Sequence, residues 1–287
     1  MTRMTLRRHA SVHGRWELAE RLPCAFLAPH LVGTCRGYTE SSPAPVRRRE
    51  VPISQIVLIL NLGSGFDIAP VGDPRTVSRL PRSFVAGLHS RSVIVESPGT
   101  AHCMQVDLTP PAARRLFGSP LSDLADRVVP LADLLGGEAD RLETQLDAAL
   151  GWESRLDLLE GWLCSRLDDA PAIPAAVEWA WQCLSRSAGR LAIGEVQRRI
   201  GWSRRHLVAQ FREHIGAPPK LAARILRFER AVGMLDDPAR PGWAEIAADC
   251  GYSDQGHLAR DVRELAGMTP GELRRRSLPD GVGITVG

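Results

Sequence analysis

Two stretches of the chain gather side chains able to read the edge of a base pair. Residues 204–212 carry Arg204, Arg205 and Arg212, with Val208 and Ala209 between them, and residues 255–263 carry Gln255, Gly256, His257, Arg260 and Arg263. A guanidinium offers paired N–H donors that match guanine O6/N7 or phosphate oxygens, and a carboxamide matches adenine N6/N7. Ala209 suits contact with a thymine methyl, and Gly256 lets backbone approach closely. Any solvated helix also shows arginines, so residue types alone decide nothing. Position along the chain adds a little. From Pro174 onward there are 17 Lys+Arg against 13 Asp+Glu, and the preceding residues hold 19 against 20. The formal excess of +3 thus lies on the side where a phosphate backbone would dock.

For such residues to act together, each set must occupy one face of a helix whose other face is buried. The sequence repeats itself in a way that supplies this twice. GWSRRHLVAQFREHIGAPP from Gly201 returns as GYSDQGHLARDVRELAGMTP from Gly251. An offset of 50 pairs Ile193 with Trp243, Glu195 with Glu245, Gly201 with Gly251, Trp202 with Tyr252 and Ser203 with Ser253. One inserted residue then makes the offset 51, pairing Leu207 with Leu258, Phe211 with Val262, Gly216 with Gly267 and Pro219 with Pro270. Glycine can take positive φ in a tight turn, and serine two residues on can cap the following helix. Helix, glycine turn and capped helix is the order of a helix-turn-helix.

At 100° per residue, Leu207, Phe211 and His214 or Ile215 share one side of the first copy. Arg205, Ala209 and Arg212 lie opposite, flanked by Val208 and Glu213. In the second copy Leu258, Val262 and Leu265 point inward, and Gly256, Arg260 and Arg263 outward. Between the copies, residues 218–235 read as one helix with the stripe Leu221, Ile225, Phe228, Val232 and Leu235. About 18 residues at roughly 1.5 Å each give a rod of about 27 Å. That is close to the roughly 34 Å helical repeat of B-DNA, so the rod can hold two reading heads in successive major grooves.

From about Val177 to Arg276 the sequence resembles the two-motif DNA-binding domain of the AraC/XylS family of bacterial transcription regulators. GYSDQGHLARDVRELAGMTPGELR is very close to the family signature. The resemblance implies that the second helix of each motif enters the major groove, through Arg204, Arg205, Val208 and Ala209 and then Gln255, Gly256, His257 and Arg260. Ala209 stands where arginine is common in the family, which shifts the first head toward weaker or T-rich reading. Leu258 and Val262 stand where phenylalanines are frequent, a matter of packing.

The expected fold class is α+β. Residues 1–170 form a sensor and dimerisation domain, β-rich over 20–108 and helical over 110–168. Residues 171–287 are all-α, with a first helix-turn-helix at 193–215, a linker helix at 218–235 and a second helix-turn-helix at 243–266. Strands are read in VPISQIVLILNLGSGF, SFVAGLH, RSVIVES and AHCMQVDL, apolar runs split by Gly, Pro and Ser. Helical spacing follows Pro111, with one stripe at Leu142, Leu146 and Leu150 and another at Leu156, Leu159 and Leu163. DDAPAIP, residues 168–174, is the linker. The family resemblance implies a small cupin-like β-barrel for the first block and helices for dimerisation after it.

Within that half, His89, His102, Cys103 and Gln105 are the polar groups that could line an effector cavity, against the commoner reading of ordinary strand ends and turns. His30, His89 and His102 lack the close His-x-His spacing of a metal cupin, so no metal is expected. Cys24, Cys35 and Cys103 could sense redox state, but buried structural thiols are the commoner use. No catalytic motif and no cofactor site stand out, and the chain reads as a regulator rather than an enzyme. A metal-dependent β-barrel enzyme carrying a DNA-binding domain is the alternative. The longest apolar run, Ile56–Leu60, is too short to cross a bilayer, and the N-terminal residues lack the apolar core of a secretory signal. Six cysteines without a CxxC pair fit a reducing cytoplasm. The expected partners are double-stranded promoter DNA, a small-molecule effector, RNA polymerase and a second copy of the chain.

Overall fold

A computed structural model describes residues 4–11, 14–70, 77–80, 82–236, 242–276 and 284–285. The N-terminal part is built on two antiparallel sheets. Strands β1 (Thr5–Ser11), β2 (Gly14–Arg21), β3 (Cys35–Ser41), β4 (Val46–Glu50), β5 (Ile56–Asn61), β6 (Phe66–Pro70), β7 (Ser78–Leu80), β8 (Phe84–Ala86), β9 (Val93–Ser97) and β10 (Thr100–Leu108) precede the first helix. Later come β11 (Val128–Pro130) and β12 (Ile284–Thr285). The larger sheet has the order β1-β2-β3-β10-β5-β8-β11 and the smaller β12-β4-β9-β6-β7.

Alternation along β10 explains how the layers stack, since successive side chains of a strand leave on opposite faces. Ala101 and Cys103 turn toward the smaller sheet and pack with Ile59, Phe66, Ile68, Leu80 and Phe84. Met104, Val106 and Leu108 join Leu58 and Leu60 on the other face, which helices cover. Those helices are α1 (Pro110–Phe117), α2 (Leu131–Leu135), α3 (Gly137–Ala148) and α4 (Gly151–Asp168). A 3-10 turn at Leu121–Leu124 lies between α1 and β11. Gly37 of β3 permits close docking of α4, because a Cβ there would fall 2.3 Å from the Trp152 ring.

Strand formation begins earlier than the sequence suggests. β1 and β2 lie at the edge of the larger sheet, and residues 5–10 of β1 are solvent-exposed. Arg7 pairs with Glu20 and Arg8 with Glu17 across the hairpin. Charge pairs of this kind stabilise a ladder without the apolar alternation by which strands are recognised. The stripe at Leu142, Leu146 and Leu150 also divides. Leu142 and Leu146 are buried, but α3 ends at Ala148, leaving Leu150 89% exposed in the turn before α4. Leu156, Leu159 and Leu163 of α4 are buried as one stripe.

After an irregular stretch at 169–174 the regular elements are helices as far as Arg276: α5 (Ala175–Arg186), α6 (Ile193–Ile200), α7 (Arg204–Ile215), α8 (Pro219–Gly233), α9 (Trp243–Asp249), α10 (Gln255–Ala266) and α11 (Pro270–Arg276). Residues 171–287 are not all-α as expected, because β12 pairs with β4 at the edge of the smaller sheet. The apolar cores do not divide where the strands and helices do. Val177, Trp181, Leu184, Val196, Leu207, Phe211 and Ile215 belong to the same core as Leu116, Leu121, Leu124 and Leu163. The second helix-turn-helix has its own core, formed by Ile225, Phe228, Ile246, Tyr252, Leu258, Val262 and Leu265.

Candidate nucleic-acid interface

The two helix-turn-helix units are α6–α7 and α9–α10, joined by α8. Each turn is made by a glycine in the left-handed region, Gly201 and Gly251, both at φ 75°. The helix that follows is capped in each unit, though not by equivalent residues. In the first, Ser203 Oγ accepts the His206 N–H at 3.2 Å. In the second, the inserted residue moves the cap to Asp254, whose Oδ1 accepts the His257 N–H at 2.7 Å. Ser253, the expected counterpart of Ser203, instead turns its hydroxyl toward Asp254 and His257. These hydrogen bonds, the His257 N–H first among them, hold the Asp254 carboxyl below its ordinary range.

The repeat contains a pair that the sequence reading passed over. Trp202 packs edge-on against His206 at 4.5 Å between ring centroids, and Tyr252 against His257 at 5.1 Å. The offset of 51 makes His206 the counterpart of His257, so the alignment already held this signal. In both units an aromatic residue of the turn thereby fixes a histidine in the first turn of the next helix.

On α7, Leu207, Phe211, His214 and Ile215 are buried, while Arg204, Arg205, Ala209 and Arg212 are exposed and Val208 is half-buried. Arg204, Arg205, Val208, Ala209 and Arg212 together line an open depression of about 510 Å³. On α10, Leu258, Val262 and Leu265 are buried, whereas Gln255, Gly256, Arg260 and Arg263 are exposed and His257 is half-buried. Each helix therefore offers a basic ridge with a small residue in it. No ion pair holds Arg204, Arg205, Arg212, Arg260 or Arg263 among the described residues. By contrast Arg198 and Arg199 pair with Glu195, and Arg224 pairs with Asp261 and Glu264.

Both units also touch the N-terminal part. Arg114 of α1 lies 4.0 Å from Glu213 at the end of α7, and Gly216 sits against Leu121. At the second unit, the Ser92 N–H donates to Leu265 O at 2.8 Å and its hydroxyl to Ala266 O at 3.1 Å. Arg49 Nη1 donates to Ala266 O at 2.8 Å and to Gly267 O at 3.3 Å. The last carbonyls of α10, which have no partner within a helix, are thus capped from the sheets. Ser54 and Gln55 donate to Glu229 of α8 at 2.6 and 2.8 Å.

The four residues considered for an effector cavity are not brought to one place. Cys103 and Gln105 share the face between the sheets, where Gln105 Nε2 donates to Asp107 at 2.8 Å. His102, one position along, leaves on the opposite face, 2.9 Å from Arg155 and edge-on to Trp152. His89 sits in the loop after β8, its Nδ1 2.8 Å from Gly87 O. The face between the sheets also carries Arg48 and Glu50, which stand opposite Val95 and Val93 in the ladder. Burial raises the Glu50 carboxyl above its ordinary range, against the pull of Arg48 and Arg36. The cysteine trio is likewise dispersed. Cys35 and Cys103 are buried and their thiols are pushed up to about 12, while Cys24 lies 3.8 Å from Cys164. Among the described residues, no three His, Cys, Asp or Glu side chains are grouped to hold a metal.

Burial lowers the affinity of His30, His89, His102 and His214 for a proton below the ordinary 6.5. Each then binds fewer protons folded than unfolded, so its contribution is complete above about 6.5 and lost as pH falls below it. The melting midpoint is expected to drop on acidification from about pH 7.5 to 5.5, before carboxylates in their ordinary range titrate. A flat midpoint over that range, read by calorimetry, contradicts this.

Comparison with known proteins places the two parts separately. Residues 196–276 match the family model described as a helix-turn-helix domain, and residues 19–130 match a domain of unknown function (DUF6597). The chain is 32% identical over 105 residues to the "Probable thc operon regulatory protein" of Rhodococcus erythropolis, covering 36% of this chain and 32% of that one. It is 35% identical over 107 residues to the HTH-type transcriptional regulator GlxA of Rhizobium meliloti (strain 1021), covering 37% and 32%. The chain thus spans about a third of the length of these curated relatives. Among solved structures, ToxT of Vibrio cholerae matches with a TM-score of 0.46 at 10% identity, over 83% of this chain and 96% of that one. The C-terminal domain of AraT from Geobacillus stearothermophilus matches with 0.34 at 22%, over 36% and 86%.

Proposed function

We propose that this chain, whose residues 196–276 are a helix-turn-helix domain of the AraC/XylS type, is a transcription regulator that binds promoter DNA sequence-specifically. The observation that carries this is the doubled architecture. Two capped helices, each with an aromatic–histidine pair at its start, expose arginines that make no ion pair among the described residues. Arg204, Arg205, Val208, Ala209 and Arg212 read one stretch of duplex, and Gln255, Gly256, His257, Arg260 and Arg263 read the next. Because the heads differ, a single chain reads an asymmetric site. The function lies in binding rather than in catalysis.

Residues 1–170 serve as sensor and 171–287 as reader. The two facing sheets form a cupin-like barrel, and its interior face, with Glu50, Cys103 and Gln105, is where a small-molecule effector binds. RNA polymerase and a second copy of the chain are the protein partners, and the setting is the cytoplasm. Among the described residues, no helix is long and apolar enough to cross a membrane.

Selection of bound duplexes from a random library tests the reading. It should return two distinct boxes at a fixed separation. The logarithm of the affinity for the selected duplex should then fall linearly with log salt, a loss of about a hundredfold between 50 and 200 mM if about four phosphates are neutralised. Recovery of no preferred sequence sinks the proposal.

A further inference from the structure

The distance between the two reading heads rests on more than the rod that joins them. Arg227 of α8 reaches toward both. Its Nη1 donates to the carbonyl of Gly189, in the loop that leads into the first helix-turn-helix, at 2.9 Å. Its guanidinium carbon lies 5.5 Å from the ring centroid of Tyr252, the aromatic residue of the second head's turn. A guanidinium over an aromatic face is held by the ring quadrupole, more strongly where water is kept away. Tyr252 is only 5% exposed.

Two glycines show how tightly the surrounding surfaces meet. Gly189 has φ +72°, and a Cβ on it would fall 2.0 Å from the carbonyl oxygen of Ala223, on α8 itself. A Cβ on Gly251 would fall 2.8 Å from Cγ of Arg190, so the turn of the second head abuts the loop before the first. Arg224, three residues earlier on the rod, holds α10 through Asp261 and Glu264.

We infer that Arg227 is a positioning residue which fixes the separation and relative orientation of the two heads, and so sets how strictly the protein demands one spacing between its two DNA boxes. It touches no base in this role. Apolar packing and the Arg224 pairs seat each head on the rod. Arg227 adds a direct tie between the loop before one head and the turn of the other. The inference rests on the DNA-binding reading above, and its consequence is selective. Loss of the tie leaves each head's own contacts intact and relaxes only the penalty for a wrong spacing.

The test uses the full chain and the duplex returned by selection, with one to three base pairs inserted or deleted between the boxes. Wild type should discriminate steeply among these duplexes. Arg227→Met, which keeps the aliphatic stem, and Tyr252→Leu should each flatten the discrimination by about tenfold. Tyr252→Phe, which keeps the ring, should retain it. Binding to a duplex with either box scrambled should change less than about twofold in Arg227→Met and Tyr252→Phe; for Tyr252→Leu, whose lost ring also holds His257, this control uses only the duplex in which the second head's box is scrambled. Melting midpoints check folding, and if Arg227→Met does not fold, Arg227→Lys and the Tyr252 pair carry the measurement. Unchanged spacing discrimination in Arg227→Met overturns the inference while leaving the regulator reading intact. An equal loss on one-box and two-box duplexes overturns it as well, since that is the mark of general destabilisation. Failure of wild type to select any boxes strikes the underlying reading instead.

Discussion

Phe211→Ala is expected to cost about 3–5 kcal/mol of folding stability, the range for removing a fully buried phenylalanine from a core that cannot collapse around the void. Phe211 is completely buried, and it sits where the first reading head meets the core of the N-terminal half. The loss should therefore appear in both halves. Urea unfolding followed by tryptophan fluorescence reads Trp152 and Trp181, which belong to the same core. Arg212, one residue further along the same helix but exposed, should change stability by less than about 0.5 kcal/mol when replaced by alanine. If Phe211→Ala melts like Arg212→Ala, the shared core is wrong.

The second large effect concerns recognition. Arg205→Ala and Arg260→Ala should each weaken binding to the selected duplex by about 1–3 kcal/mol and relax preference at one or two positions in different boxes. Because the two residues stand on separate heads with no shared partner, the double variant should lose close to the product of the two factors. Binding measured against a panel of single-base variants distinguishes the outcomes. A loss spread evenly over all sequences would make either arginine a phosphate contact and remove it from the base-reading set.

The readers were legible in the sequence because helical periodicity and glycine turns are local. The buried faces Leu207/Phe211/Ile215 and Leu258/Val262/Leu265 came directly from spacing. The cap of the second unit did not, because one inserted residue shifts it from Ser253 to Asp254, and only geometry shows which oxygen meets the His257 N–H. The sheets were half legible. β5, β8, β9 and β10 are apolar runs, whereas β1 to β4 are stabilised by cross-strand charge pairs and by partners distant in sequence. The four polar residues read as one cavity lining are dispersed for a plainer reason. His102, Cys103 and Gln105 are neighbours in sequence, but a strand sends adjacent side chains to opposite faces. Contacts such as Arg49 to Ala266 span more than two hundred residues and leave no local trace.

The core that joins α7 to α1 and to the turn at Leu121–Leu124 carries a practical consequence for anyone recombining such proteins. Severing the chain near residue 170 would strip the first reader of the apolar surface it shares with α1 and the turn, whereas the second would lose its polar ties to Arg49, Ser54, Gln55 and Ser92 but keep its own apolar cluster. A chimera that grafts these C-terminal helices onto a foreign input module should therefore import α1 and that short turn as well, or supply equivalent greasy surface. Otherwise the two readers would part company in solubility long before either met a promoter.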